Sequence, residues 1–133
     1  MRTTARIAAR VLTGTTYAVL GFDAARSPGG RVGMAAPLLD RMRSVVPALP
    51  DDATAVRANG AVQTAAGAAL VAGFHPRLSA VALIGSMVPT TLAGHAFWTI
   101  DDKAQRAAQR TQLLKNAAMI GGLIAIALDR GDS

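Results

Sequence analysis

Four charge-poor runs divide the chain. The longest, Leu78 to Ile100, has 23 residues without Asp, Glu, Lys or Arg. At about 1.5 Å per residue a helix of that length reaches roughly 34 Å, enough to cross a hydrocarbon core of about 30 Å. Ala58 to Pro76 gives 19 residues between Arg57 and Arg77. Two shorter runs complete the set: Val11 to Phe22, with the Ile7-Ala8-Ala9 lead-in, and Asn116 to Leu128, extendable back to Thr111. The short runs suffice as spans if Arg and Lys stems at their ends snorkel to the interface. The pattern predicts an all-α integral membrane four-helix bundle in one domain, 1–133, with spans near 7–22, 56–74, 78–98 and 111–128. The rival reading of the first run is a secretory signal peptide, with a basic start, an apolar core and Asp23-Ala24-Ala25 after it. Thr13, Gly14, Thr15, Thr16 and Tyr17 suit a packed helix better.

Between the first two spans, Ser27-Pro28-Gly29-Gly30 reads as a turn. Leu38, Leu39, Met42, Val45 and Val46 then fall on one helical face. This predicts a short amphipathic helix at the membrane surface, closed by Pro47-Ala48-Leu49-Pro50. The alternative is an ordinary solvated loop.

Composition supports a membrane chain. Half of the 133 residues are apolar, yet only 4% are aromatic and 17% charged, against about 25% charged in soluble domains. The net charge of +6 comes from 12 Arg and 2 Lys placed at the ends of apolar runs, as membrane proteins use them, and nucleic-acid binding is set aside. With no cysteine, the chain has no disulfide, thiol redox chemistry or thiolate metal site of its own. Alternating spans put Arg2, Arg6, Arg10, Arg77 and Arg130 on one side and nine basic residues on the other. The larger group argues for the cytoplasm on its side, and the arginines before the first helix argue the reverse.

Polar residues inside the spans are the candidate chemistry, because they are expensive in hydrocarbon and face the bundle interior. Asn59 and Gln63 share a face of the second span. Thr91, His95 and Trp98 share one in the third; Gln112, Lys115, Asn116 and Met119 share one in the fourth. All lie toward the same leaflet, so Asn59, Gln63, His95, Trp98, Lys115 and Asn116 form a candidate ligand pocket. A neutral histidine that titrates near neutrality suits a quinone headgroup. Each residue also has a structural reading: interhelical hydrogen bonds for Asn59 and Gln63, interface anchoring for Trp98, snorkelling for Lys115. Pro89 predicts a kink, with Ser86 or Thr90 compensating. Arg57, Lys103, Arg106 and Arg110 are candidates for docking a partner or anionic lipid. No metal site is expected, since His75 and His95 lie on opposite sides.

The strings Ser27-Pro28-Gly29-Gly30, Ala36-Pro37-Leu38-Leu39-Asp40, Val56-Arg57-Ala58-Asn59-Gly60-Ala61-Val62-Gln63, Val88 to Trp98 and Gln112-Leu113-Leu114-Lys115-Asn116 together resemble the DoxX family of small four-span bacterial membrane proteins. The resemblance implies a multi-pass protein of the bacterial plasma membrane. Some relatives are subunits of a thiosulfate:quinone oxidoreductase, and one anchors an oxidoreductase complex with a superoxide dismutase and a sulfurtransferase. It therefore implies a subunit that supports an oxidoreductase complex in sulfur and oxidative-stress metabolism. The alternative is a quinone-binding subunit. Membrane lipid, soluble oxidoreductases or a sulfurtransferase, and further copies of the chain are the expected partners, and quinone is the candidate cofactor.

Overall fold

The computed structural model describes residues 2–131, and every regular element among them is helical. The order is α1 (Arg2–Arg26), α2 (Arg31–Val45), α3 (Asp52–Ala72), α4 (Pro76–Gly94) and α5 (Lys103–Leu128), with a 3₁₀ turn at Phe97–Thr99. The four long helices occupy the four charge-poor segments, and α2 stands where the amphipathic helix is expected.

Helix ends follow local chemistry. Asp51 caps α3, its carboxylate accepting from the Thr54 N–H (3.1 Å) and hydroxyl (2.7 Å). Gly73, at φ 73°, closes α3 with a left-handed residue, and its N–H returns to the carbonyls of Ala69 and Leu70. Pro76 opens α4, where its missing N–H costs nothing. Asp102 caps α5 through the Gln105 N–H at 3.0 Å. That cap starts α5 at Lys103, ahead of the expected boundary at 111, so Lys103, Arg106 and Arg110 lie on its first turns. Helix α4 stops at Gly94, short of the expected boundary at 98. Its last helical bond runs from the His95 N–H to the Thr91 carbonyl (3.1 Å), and His95 leaves helical geometry at φ −131°, ψ 38°.

Helices α1 and α3 share the most extensive contact, antiparallel and backbone to backbone. Gly14 lies opposite Gly67 and Gly21 opposite Gly60. A Cβ on any of the four would stand 2.6 Å from a backbone atom of the facing helix. Glycine is required there because a methyl group would force the two backbones apart. Gly121 and Gly122 of α5 have nothing within 4 Å, so these two are not packing contacts.

The interior is partly polar and the exterior is apolar. Tyr17, Leu70, Leu83 and Leu123 are the largest fully buried side chains, and Gln63, Ser79, Ser86 and Thr91 are buried beside them. Outside, twenty large apolar side chains are exposed among the described residues, including Leu12, Val19 and Phe22 on α1 and Leu78, Val81 and Leu92 on α4. A water-soluble domain does not present apolar surface on this scale. Two stretches, Pro76–Thr99 and Lys103–Leu128, are long and apolar enough to cross a membrane. Helices α1 and α3 have the length but carry Arg6, Arg10 and Asp23, or Arg57, Asn59 and Gln63.

Helix α2 folds back onto α4 and α3. Leu38 and Leu39 are half-buried, while Met34, Met42, Val45 and Val46 point outward. The expected apolar face is thus divided between the bundle and its surroundings. Arg43 ties α2 to α3 through Asp52, and it also bonds Asp40 of its own helix (3.0 Å) and the Pro50 carbonyl in the connecting loop (2.7 Å). The hydrogen bond with Asp52 pushes its guanidinium pKa further up.

Gly67→Ala is expected to lower stability by about 1–3 kcal/mol, while Gly121→Ala, in open space, does not. Thermal unfolding in detergent measures both. The Thr54 hydroxyl and N–H hold the Asp51 carboxyl below the usual carboxylate range. Its contribution is therefore complete above the unfolded-chain value of about 3.9 and is lost as pH falls through the lower folded value. Acid unfolding of Asp51→Asn, which keeps a capping oxygen but cannot ionise, should lack that component.

Candidate functional site

Antiparallel alternation brings the end of α1, the start of α3, the end of α4 and the start of α5 to one end of the bundle, the end that α2 covers. The polar residues of the spans gather toward it. Gln63 Nε2 donates to Ser86 Oγ at 3.0 Å, Ser86 Oγ donates to Asn59 Oδ1 at 2.7 Å, and Asn59 Nδ2 donates to Thr90 Oγ1 at 3.0 Å. Thr90 Oγ1 then donates to the Ser86 carbonyl at 2.8 Å, closing the ring on the residue through which it passed. Gln63 Nε2 also lies 3.7 Å from the Met87 sulfur. The ring fastens α3 to α4, the structural role open to Asn59 and Gln63 from the start.

Pro89 cannot donate to the Gly85 carbonyl, yet α4 runs through it to Gly94. The Thr90 hydroxyl bonds the neighbouring Ser86 carbonyl rather than the freed one.

A second fastening joins α4 to α5. Asn116 Nδ2 donates to Thr91 Oγ1 at 3.2 Å. Thr90 therefore serves α3 and Thr91 serves α5. Beyond the helix end, His95 Nδ1 lies 2.7 Å from Gln109 Oε1. With that oxygen accepting, Nδ1 is the donor of the pair.

The candidate pocket is therefore only partly assembled. Asn59 and Gln63 meet each other through Ser86, and Asn116 reaches the adjacent threonine. His95 joins neither of them; it pairs with Gln109. Trp98 is 56% exposed and packs edge-on against Phe97, off the face it would share with Thr91 and His95 in an unbroken helix. Lys115 is exposed. Along α5 the inward line is Gln109, Leu113, Asn116, Ile120 and Leu123, so Gln112 faces away. Gln109 was not among the sequence candidates. Counting helical turns from the Asp102 cap would have found it.

Two of the four basic docking candidates have local duties. Arg57 Nη1 donates to the carbonyls of Ala25 (2.8 Å) and Arg26 (3.1 Å), closing the end of α1. Arg106 Nε donates to the Ile100 carbonyl at 2.7 Å. Lys103 and Arg110 are exposed.

Tyr17 is 1% exposed in the core, and its hydroxyl has no hydrogen-bond partner among the described residues. At the opposite end of the bundle, the start of α1, the turn into α4 and the end of α5 enclose a cleft of about 1330 Å³.

A family model described as DoxX matches residues 5–96, from the start of α1 to just past the end of α4. No curated protein and no solved structure matches the chain.

Asn59→Leu, which breaks the ring, is expected to cost about 1 kcal/mol. Tyr17→Phe, which removes an unpartnered buried hydroxyl, should leave stability unchanged or raise it by about 1 kcal/mol. Parallel unfolding curves in one detergent decide both.

Proposed function

The chain belongs to the DoxX family, and from that premise we propose a non-catalytic membrane subunit that anchors an oxidoreductase complex of sulfur and oxidative-stress metabolism. In this reading α1, α3, α4 and α5 cross the bacterial plasma membrane and α2 lies at its surface. The observation that carries it is the closed ring of Asn59, Ser86 and Thr90, into which Gln63 donates. These intramembrane polar groups spend their hydrogen bonds on one another, which suits a scaffold better than a substrate site. A soluble oxidoreductase or sulfurtransferase would bring the reactive thiols and cofactors that a chain without cysteine does not have. Its docking surface is the α2-covered end, where Lys103 and Arg110 stand exposed on the first turns of α5.

A second reading, a quinone headgroup beside His95, is favoured by one observation. Gln109 engages Nδ1 and leaves Nε2 for an oxygen of a quinone or quinol headgroup. It concerns the mouth of the bundle rather than its core.

Purification under mild detergent should recover a soluble oxidoreductase in fixed ratio. Lys103→Glu with Arg110→Glu should release that partner while the subunit stays folded in the membrane. A chain that purifies alone under several mild detergents contradicts the anchor. Thiosulfate-dependent quinone reduction that is unchanged in His95→Ala contradicts the quinone reading.

A further inference from the structure

The cleft at the end opposite α2 has a chemistry of its own. Five arginines line it, Arg2, Arg6 and Arg10 from one face of α1, Arg77 from the start of α4 and Arg130 from beyond α5, against one described acid, Asp129. The spacing of four residues stacks the α1 arginines on successive turns, about 6 Å apart along the axis. Two of the five are engaged in holding the walls. Arg6 Nε pairs with Asp129 Oδ2 at 2.8 Å, and Arg77 Nε donates to the Ala127 carbonyl at 3.0 Å. Arg10 is the deepest of the α1 series. Its guanidinium lies against Gly73, and its buried Nε has no hydrogen-bond partner among the described residues. Arg2 and Arg130 are exposed at the rim.

Away from the arginines the lining turns apolar through Leu78, Val81, Ile126 and Leu128, with Ala125 and Gly122 deeper along α5. Helices α1 and α5 touch only sparsely, so the cleft opens sideways between them as well as at the end. A concavity that is cationic at the membrane surface and apolar toward the membrane centre fits an amphiphile with an anionic head. A free inorganic anion would leave the apolar half unused. A zwitterionic lipid has the same phosphodiester but brings its own cation, which leaves the excess of positive charge unmatched.

We propose that this cleft is a binding site for an anionic phospholipid of the surrounding bilayer. The phosphodiester lies among Arg10, Arg2 and Arg130, and an acyl chain runs along the α1–α5 gap. Basic pockets between membrane helices hold anionic headgroups by the same physics. The site is distinct from the basic residues at the α2-covered end. It rests on the reading of α1 and α5 as membrane-crossing helices.

The test uses the full chain in a non-ionic detergent, titrated with phosphatidylglycerol or phosphatidylcholine and read by native mass spectrometry. Phosphatidylglycerol should be retained at least about tenfold more strongly, and Arg10→Gln with Arg130→Gln should lose most of that preference. Arg130→Gln alone, at an exposed position past the helix end, should lose part of it without disturbing the fold. Lys103→Gln with Arg110→Gln should keep it whole. Equal retention of the two lipids overturns the proposal, as does equal loss in the Lys103 and Arg110 variant. Displacement of the lipid by millimolar inorganic phosphate also overturns it, because the site would then be one for small anions. Carbonate washing of membranes separates the two levels. A chain that withstands the wash but shows no lipid preference rejects the site alone, whereas a chain released by the wash rejects the spanning reading and the site together.

Discussion

Everything in this bundle hangs on the backbone contact between α1 and α3. In a bilayer, lipid tails are as apolar as leucine, so helices gain little by hiding apolar surface from them. Close approach and hydrogen bonding must hold them instead. Gly14 against Gly67 and Gly21 against Gly60 provide that approach and admit one register. The register delivers Arg57 to the open carbonyls at the end of α1. It also lays the Cβ of Gln63 beside Gly21, leaving the amide to reach Ser86 on α4. A shift by one residue would break the glycine pairing, the cap and the polar ring at once.

The division of labour follows from where hydrogen-bonding capacity is used up. Between α3, α4 and α5, amides and hydroxyls satisfy one another, and what remains is packing. At the two ends the situation differs. The α2-covered end presents exposed cations beside the His95–Gln109 pair. The opposite end gathers arginines around a cleft that its own acids do not neutralise. A protein of this kind meets its surroundings at its ends, while its middle keeps the ends in place.

The sequence made the helices legible because the runs between charges are long; the caps that set their ends, Asp51, Gly73 and Asp102, were visible only in the structure. The sequence also made Asn59 and Gln63 legible as an inward pair, since four residues apart is one face. Partners were harder to read. Periodicity says which way a side chain points but not what stands opposite, so Ser86 and Thr90 looked like helpers of Pro89 rather than members of the ring. The apolar run from Asn116, extended back only to Thr111, brings in Gln112 and leaves Gln109 outside the expected span. The helix actually starts at the Asp102 cap. The end of α4 at Gly94 was hidden because His95, Phe97 and Trp98 extend an uncharged run past the point where helical geometry stops. Alternating spans already place Arg77 and Arg130 on the side of the α1 arginines; the cleft between them, lined by three chain segments, is what the sequence does not show.

Thr90 and Thr91 are neighbours in sequence but bind different helices, α3 through Asn59 and α5 through Asn116. Consecutive side chains leave a helix at directions about 100° apart. Helix α4 therefore acts as the corner post of a near-square plan, with α3 and α5 as the two walls that meet there. Since α1 is bound backbone to backbone to α3, it takes the remaining corner, and α1 meets α5 mainly at one end, through Arg6 and Asp129. Two adjacent threonines thus fix the directions in which α3 and α5 leave α4.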